Sequence, residues 1–203
     1  TLIPIDEIRG NHLLTKDTFS EPTLSELPLL SPQEIAIRNP NISGVQVSDI
    51  ALKFILGRPI YLIADKRFDA ISGRALPMIS RKEALNIVRA RTNKEILDAE
   101  IVKQVTPDSE YRSGELPAWR ITLTQENAAI YVGAKTASIR AVRTDSWRLF
   151  DFLWSLHIMD YDERENFNHL LIQTLAIISL VTVVSGLILF FSTLPFQIKR
   201  KTF

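Results

Sequence analysis

LLIQTLAIISLVTVVSGLILFF, residues 170–191, contains no ionisable side chain. At about 1.5 Å per residue, a helix over these positions spans the roughly 30 Å hydrocarbon core of a bilayer. Its serine and threonine residues are tolerated, because their hydroxyls can bond back to helix carbonyls. A buried core helix rarely runs this long without a charge, so the sequence predicts one transmembrane α-helix within residues 167–194.

Charges flank this segment unequally. Acidic residues dominate before it and basic residues follow it: Asp160, Asp162, Glu163 and Glu165 opposed by Arg164, then Lys199, Arg200 and Lys201. Because basic flanks stay in the cytoplasm, we expect a cytoplasmic tail at residues 195–203 and a bacterial inner (cytoplasmic) membrane location. The preceding region then lies in the periplasm. We interpret the carboxylates as a solvated acidic collar, since their spacing matches no calcium loop.

Translocation of the preceding region requires an upstream element that these residues do not contain. We expect a signal peptide or a first transmembrane helix before Thr1, with residues 1–30 forming a membrane-exit segment and linker.

An aromatic segment, residues 146–166, precedes the span. Its large side chains recur at steps of three and four and share one helical face: Trp147, Phe150, Leu153, Trp154 and His157, with Tyr161 beyond. Tryptophan and tyrosine favour the membrane–water boundary, which predicts an interfacial amphipathic helix. The alternative is that this face packs on the preceding domain, and both arrangements are compatible along one helix.

Composition excludes several classes of function. The formal net charge of +1 gives no field that favours nucleic acid, and the absence of cysteine excludes disulfides and thiolate chemistry. Phosphate loops, nucleophile elbows and zinc-protease helices are absent from the sequence. We therefore expect a protein without catalytic or metal-ligating residues of a recognisable kind.

Residues 31–145 contain a repeated pattern. Ser31 with Glu34, and Ser80 with Glu83, have the spacing of capping boxes that open helices, and Pro32 suits a first helical position. Strand-like segments follow each helix, and Trp119–Leu123 alternates apolar and polar residues like a half-buried antiparallel strand. The pattern predicts an α+β protein with two tandem modules, residues 31–76 and 77–145, each a helix and a small antiparallel sheet. We predict the strands at residues 45–54, 60–64 and near 70, then at 100–105, 119–124, 129–132 and 137–142.

The second module resembles a PepSY domain: a capped helix, strands with the aromatic–arginine pair Trp119-Arg120, and a hairpin. Residues 147–169, which include WRLFDFLW, His157, MDY and Phe167-Asn168-His169, resemble PepSY-associated transmembrane proteins. The resemblance extends over most of the chain from Ala75 onward. It also includes Ser185-Gly186-Leu187 in the span and the segment from Ile3 to His12.

The resemblance implies a non-catalytic binding or accessory subunit, in contact with the bilayer and with other membrane subunits of a redox or respiratory assembly. PepSY modules also act as protease inhibitors or folding aids, which is a second hypothesis. A third is a haem- or flavin-linked electron carrier in iron or siderophore reduction, in which His157 and His169 bind haem. These histidines are otherwise interfacial side chains that bond carbonyls or carboxylates.

Two further sets of residues are candidates for partner contacts. Small or mildly polar side chains on the span allow close approach of a partner helix: Ser179, Thr182, Ser185 and Gly186. Arginines give the second module a basic tilt that suits an acidic partner or lipid head groups, or else a solvated strand face: Arg112, Arg120, Arg140, Arg143 and Arg148.

Overall fold

The computed structural model of the chain describes residues 4–16, 19, 27–42, 44–106, 109–112, 114–158 and 170–193. Two compact units divide the chain, Thr1–Phe150 and Asp151–Phe203. The first unit is α+β and contains two antiparallel sheets, as the repeated pattern predicts. Each sheet has four strands, one more than was predicted for the first module. The described residues of the second unit are helical.

The first sheet follows helix α2. Short helix α1 (Ile5–Ile8) and a 3₁₀ turn at Asn11–Leu13 precede both. Helix α2 (Pro32–Arg38) covers a meander whose order is β1-β2-β3-β4. The strands are β1 (Ile50–Ile55), β2 (Arg58–Ile63), β3 (Lys66–Asp69) and β4 (Ala75–Leu76). Its core lies between the helix and one sheet face and contains Ile35, Ile63 and Phe68, all at most 2% exposed.

The second sheet repeats this arrangement on a larger scale. Helix α3 (Arg81–Arg89) precedes a meander of order β5-β6-β7-β8. The strands are β5 (Ile96–Val102), β6 (Ala118–Leu123), β7 (Ala129–Gly133) and β8 (Ile139–Arg143). Ala84, Ile87 and Val88 of α3 pack on inward-facing side chains such as Ile121 and Ile130.

Both helices begin at the predicted capping boxes. The Ser31 hydroxyl accepts from the Glu34 amide at 3.3 Å, and the Glu34 carboxylate accepts from the Ser31 amide at 2.7 Å. Ser80 and Glu83 repeat both bonds at 3.3 and 2.9 Å. Each pair satisfies two N–H groups that the helix itself leaves without acceptors, so the boundary is set locally.

Some strand limits differ from the sequence prediction. The first strand begins at Ile50 rather than residue 45, because Val47–Asp49 forms a 3₁₀ turn and Val47 is 83% exposed. Strand β5 begins at Ile96, where that residue pairs with Leu123 across the sheet. Pairing with a neighbouring strand, rather than local composition, determines these limits.

The second unit contains most of α4 (Asp145–Ile158) and all of α5 (Leu170–Thr193). Within α5, Ile172–Thr193 is the one helix among the described residues that is long and apolar enough to cross a membrane. The Thr182 and Ser185 hydroxyls donate to the carbonyls of Ile178 and Val181 at 2.9 and 2.8 Å. These bonds satisfy the polar side chains without a partner outside the helix.

Candidate functional site

The loop between β5 and β6 covers the face of the second sheet that α3 does not cover. Tyr111 from this loop is fully buried, and its ring stacks on Tyr131 of β7 with centroids 4.5 Å apart and planes 3° from parallel. Ala118 and Ala129 complete this small second core. The sheet is therefore packed on both faces, and the loop is part of the fold rather than an insertion beside it.

Glu110 of the same loop joins the sheet to helix α4. Its carboxylate accepts from the Tyr131 hydroxyl at 2.9 Å and from Arg148 Nε at 2.8 Å. Arg120 Nε donates to the Tyr131 oxygen at 3.2 Å, and its Nη1 donates to Glu100 at 2.9 Å. Burial and the adjacent Glu110 charge raise the pKa of Tyr131 to about 12, so the phenol remains a neutral donor at ordinary pH.

Glu115 joins the loop to the turn between β7 and β8. Its carboxylate accepts from the amides of Lys135 and Thr136, from the Thr136 hydroxyl and from Arg140 Nη2, the last at 2.9 Å. Burial opposes ionisation of Glu115, but these hydrogen bonds outweigh it and lower its pKa. Gly133 lies directly beneath the carboxylate, where a Cβ atom would collide with it.

The predicted basic set is therefore largely engaged within the second module. Arg120, Arg140 and Arg148 each form an ion pair with a carboxylate of this sheet, loop or helix. Arg143 Nε donates to the Glu110 carbonyl, and its guanidinium lies 4.0 Å from the centre of the Trp147 ring. The sequence suggested a solvated strand face or an open basic surface, and it did not identify Glu110 and Glu115 as the partners.

Trp147 begins the aromatic face of α4 and packs on the second module. Its amide donates to the Thr144 hydroxyl at 3.1 Å, which caps the helix, and Arg143 covers its ring. Later apolar residues of α4 are exposed: Leu149, Phe150, Phe152, Leu153 and Trp154 are 39–54% exposed. Trp147 thus makes the packing contact that was one of the two alternatives, and the exposed residues follow it along the helix.

A groove of about 680 Å³ runs beside β8 in the first unit. All five residues of β8 line it, together with the N-terminal segment, Trp147 and Phe150. The N-terminal segment approaches closely at Gly10, whose φ is +70° and where a Cβ atom would collide with Val142. Arg9 and Arg143 place positive charge on a lining that is otherwise mainly apolar, while Arg140 is paired with Glu115.

The two edges of the second sheet differ. At β5, Arg81 Nε donates to the Ala99 carbonyl at 3.0 Å, and its Nη2 bonds Asp98 at 2.9 Å. This side chain occupies an acceptor in the middle of the edge. At β8, no described strand pairs on the outer side, and the groove lies there instead.

The small residues proposed for helix contacts are all exposed on α5: Ser179, Thr182, Ser185 and Gly186. Steps of three and four place them on one side of the helix. Nothing in the described structure lies within 4 Å of a Cβ built at Gly186.

The histidine hypothesis falls mostly outside the described residues. His157 lies in α4 by its backbone, but its side chain is outside the described set, as are His169, Tyr161 and the acidic collar. His12 contacts Glu126, with 3.0 Å between Nε2 and Oε2. Within the described part of the chain, no group of three potential metal ligands occurs.

No protein-family model, curated protein or solved structure matches this chain. The groove, the exposed aromatic helix and the apolar span are therefore the features that bear on function.

Proposed function

We propose that this protein is a membrane-anchored, non-catalytic binding or accessory subunit. Helix α5 anchors it, and the groove beside β8 binds an extended segment of a partner protein. The resemblance to PepSY proteins favours a periplasmic location at the inner membrane and a partner from a redox or respiratory assembly.

The exposure of apolar helix α5 supports membrane anchoring. Over Ile172–Thr193 none of the helix is buried within the protein. Apolar residues such as Ile177, Leu180 and Ile188 are 63–65% exposed. Exposing so many apolar side chains to water is strongly unfavourable, whereas a bilayer solvates them and the helix satisfies its own backbone.

The groove beside β8 supports the binding of an extended partner segment. An outer edge strand presents unpaired backbone groups, and an extended peptide can add to it as a further strand. The apolar lining near Trp147 and Phe150 suits alternate apolar side chains of that peptide, while Arg9 and Arg143 favour acidic ones. We therefore expect the partner segment to be extended, apolar and acidic.

Membrane anchoring is tested by extracting membranes that contain the full chain with alkaline carbonate. We expect the protein to remain in the pellet and to enter detergent. A matched variant with Leu180 and Ile188 changed to lysine should be released, because a charge at the centre of a span costs about 2.5–3.5 kcal/mol per residue. Release of the unaltered chain by carbonate would refute the anchor.

Partner binding is tested by photo-crosslinking in native membranes. A photoreactive amino acid at Ile139, which lines the groove, should yield a defined adduct whose peptide is identified by mass spectrometry. The same amino acid at Ile101, on the β5 edge near Arg81, is the matched control and should not yield it. Equal crosslinking at both edges, or none at Ile139, would contradict the groove as the binding site.

An absorbance scan of the full chain, purified in detergent, tests the haem hypothesis. A haem-bearing protein shows a Soret band, and the accessory-subunit proposal expects none. A band that disappears in both His157→Ala and His169→Ala would replace this proposal with electron transfer.

A further inference from the structure

We propose that a second cavity, between the two tandem modules, binds a small organic anion. The anionic group is a carboxylate or phosphate monoester, and it is attached to an apolar body. This inference is independent of the partner groove and of the membrane anchor.

The cavity has a volume of about 540 Å³ and lies within the first unit. One wall is a single face of α3, where Glu83, Asn86, Ile87 and Ala90 follow each other at helical spacing. The first module supplies the opposite wall with the turn between β1 and β2 and with Arg67 of β3. This volume is within the usual range for small-molecule sites.

Arg67 is a buried arginine in the wall of this cavity. Only 4% of this residue is exposed, and it lines the cavity. One guanidinium nitrogen, Nη2, donates to the Pro77 carbonyl, while Nε is buried without a hydrogen-bond partner. Among the described residues, Arg67 forms no ion pair. Fully buried arginines are nearly always paired with a carboxylate, so this one lacks the counter-charge that its burial calls for.

The surrounding charges do not supply that counter-charge. Glu83 is the one carboxylate in the lining, and its oxygen accepts from the Ser80 amide and hydroxyl at 2.9 and 3.0 Å. Arg58 and Arg89 add two more positive charges at exposed positions of the lining. Burial lowers the pKa of Arg67, while Glu83 and Glu115 oppose that shift from beyond contact distance. The cavity thus has an excess of positive charge, and an anion from outside would balance it.

The remaining lining determines what the anion is attached to. Ile55, Leu56 and Ile87 form an apolar side, which a bare inorganic ion would leave solvated. The positive charge of a guanidinium and its N–H donors favour an oxygen of either a carboxylate or a phosphate. The shared chemistry is therefore an oxyanion with a short hydrocarbon portion.

The test measures thermal unfolding of the full-length protein in detergent by tryptophan fluorescence. Hexanoate, hexyl phosphate and inorganic phosphate are titrated separately against sodium chloride of equal ionic strength. We expect saturable stabilisation by hexanoate or hexyl phosphate, with the stronger of the two identifying the anionic group. Inorganic phosphate should bind at least about tenfold more weakly than hexyl phosphate, because it leaves the apolar side unfilled.

Two substitutions connect this response to the cavity. Arg67→Met should weaken binding on the order of 10- to 100-fold, since it removes a charged hydrogen-bond donor from a buried site. Arg81→Met is the matched control, because Arg81 lies on α3, which forms one wall of the cavity, but it pairs with Asp98 and does not line the cavity. Arg81→Met should leave the affinity unchanged.

If Arg67→Met does not fold, Arg89→Met decides the question, because Arg89 is exposed and its loss should weaken binding several-fold without unfolding the protein. The proposal is overturned if neither hexyl compound stabilises the protein beyond sodium chloride. It is equally overturned if the stabilisation persists unchanged in the arginine variants of the cavity, or if inorganic phosphate binds as tightly as hexyl phosphate.

Discussion

Replacing Glu115 with glutamine should destabilise the first unit more than any other single-carboxylate change in the loop or sheet. The Glu115 side chain is 7% exposed and bonds two amides, one hydroxyl and the Arg140 guanidinium. Glutamine has nearly the same shape, but it keeps only one acceptor oxygen and carries no charge. The NH₂ group of glutamine therefore faces at least one of the donors that Glu115 accepts from, and two donors cannot form a hydrogen bond with each other.

The magnitude follows from these contacts. A hydrogen bond to a charged group contributes about 1.5–3 kcal/mol, and glutamine loses at least the Arg140 pair and weakens the amide bonds. Arg140 is 38% exposed and regains water, which limits the cost of leaving it unpaired. We expect Glu115→Gln to lower the free energy of unfolding by about 3 kcal/mol. Denaturant unfolding of the full chain, followed by tryptophan fluorescence, measures this change.

Glu100→Gln is the matched control. Glu100 is 58% exposed and pairs with Arg120, so its replacement should cost at most about 1 kcal/mol, as surface ion pairs do. The reasoning is wrong if Glu115→Gln falls within about 0.5 kcal/mol of the unaltered protein, or if the two substitutions cost the same.

Acidification supplies an independent check on Glu115. Its folded-state pKa is lowered, so its stabilising contribution is present above the unfolded pKa of about 4.3 and is lost as pH falls through the folded value. The stability difference between the unaltered protein and Glu115→Gln should therefore be largest near pH 7 and should shrink toward pH 3. A difference independent of pH would show that shape rather than charge is responsible.

Two smaller changes test the same architecture by denaturant unfolding. Gly133→Ala should cost about 1–3 kcal/mol, because its Cβ displaces the Glu115 carboxylate, whereas Gly44→Ala meets no atom within 4 Å and should not share that cost. Ser80→Ala should cost about 1 kcal/mol by removing the capping box with Glu83, and restoration of stability by Ser80→Asp would confirm that the cap is responsible.

Features set by local sequence were predicted correctly. Both capping boxes open helices where their Ser and Glu spacing indicates, and the alternation in β6 places Ile121 and Leu123 in the core. The charge-free run at α5 forms one uninterrupted helix. Capping boxes, strand alternation and the apolar helix each depend on residues that are close together in the chain, so the sequence pattern is sufficient to predict them.

The candidate sites depended on contacts between distant residues. The loop between β5 and β6 had no periodicity, so neither the Tyr111–Tyr131 stack nor the carboxylate contacts of Glu110 was visible before folding. Arg67 stood in a short polar strand and gave no sign that it would be buried. Strand ends also depended on contacts between distant residues, since Ile96 belongs to β5 because it pairs with Leu123.

The sequence by itself determined that the chain has two capped helix-and-sheet repeats, an aromatic helix and one apolar helix of membrane length. Only the tertiary structure decided which arginines are neutralised, which sheet edge is covered and where, among the described residues, a buried arginine forms no ion pair. The physical reason is that periodicity and capping act over a few residues along the chain. Charge pairing and burial depend on groups that folding brings together from distant positions, which for His12 and Glu126 are 114 residues apart.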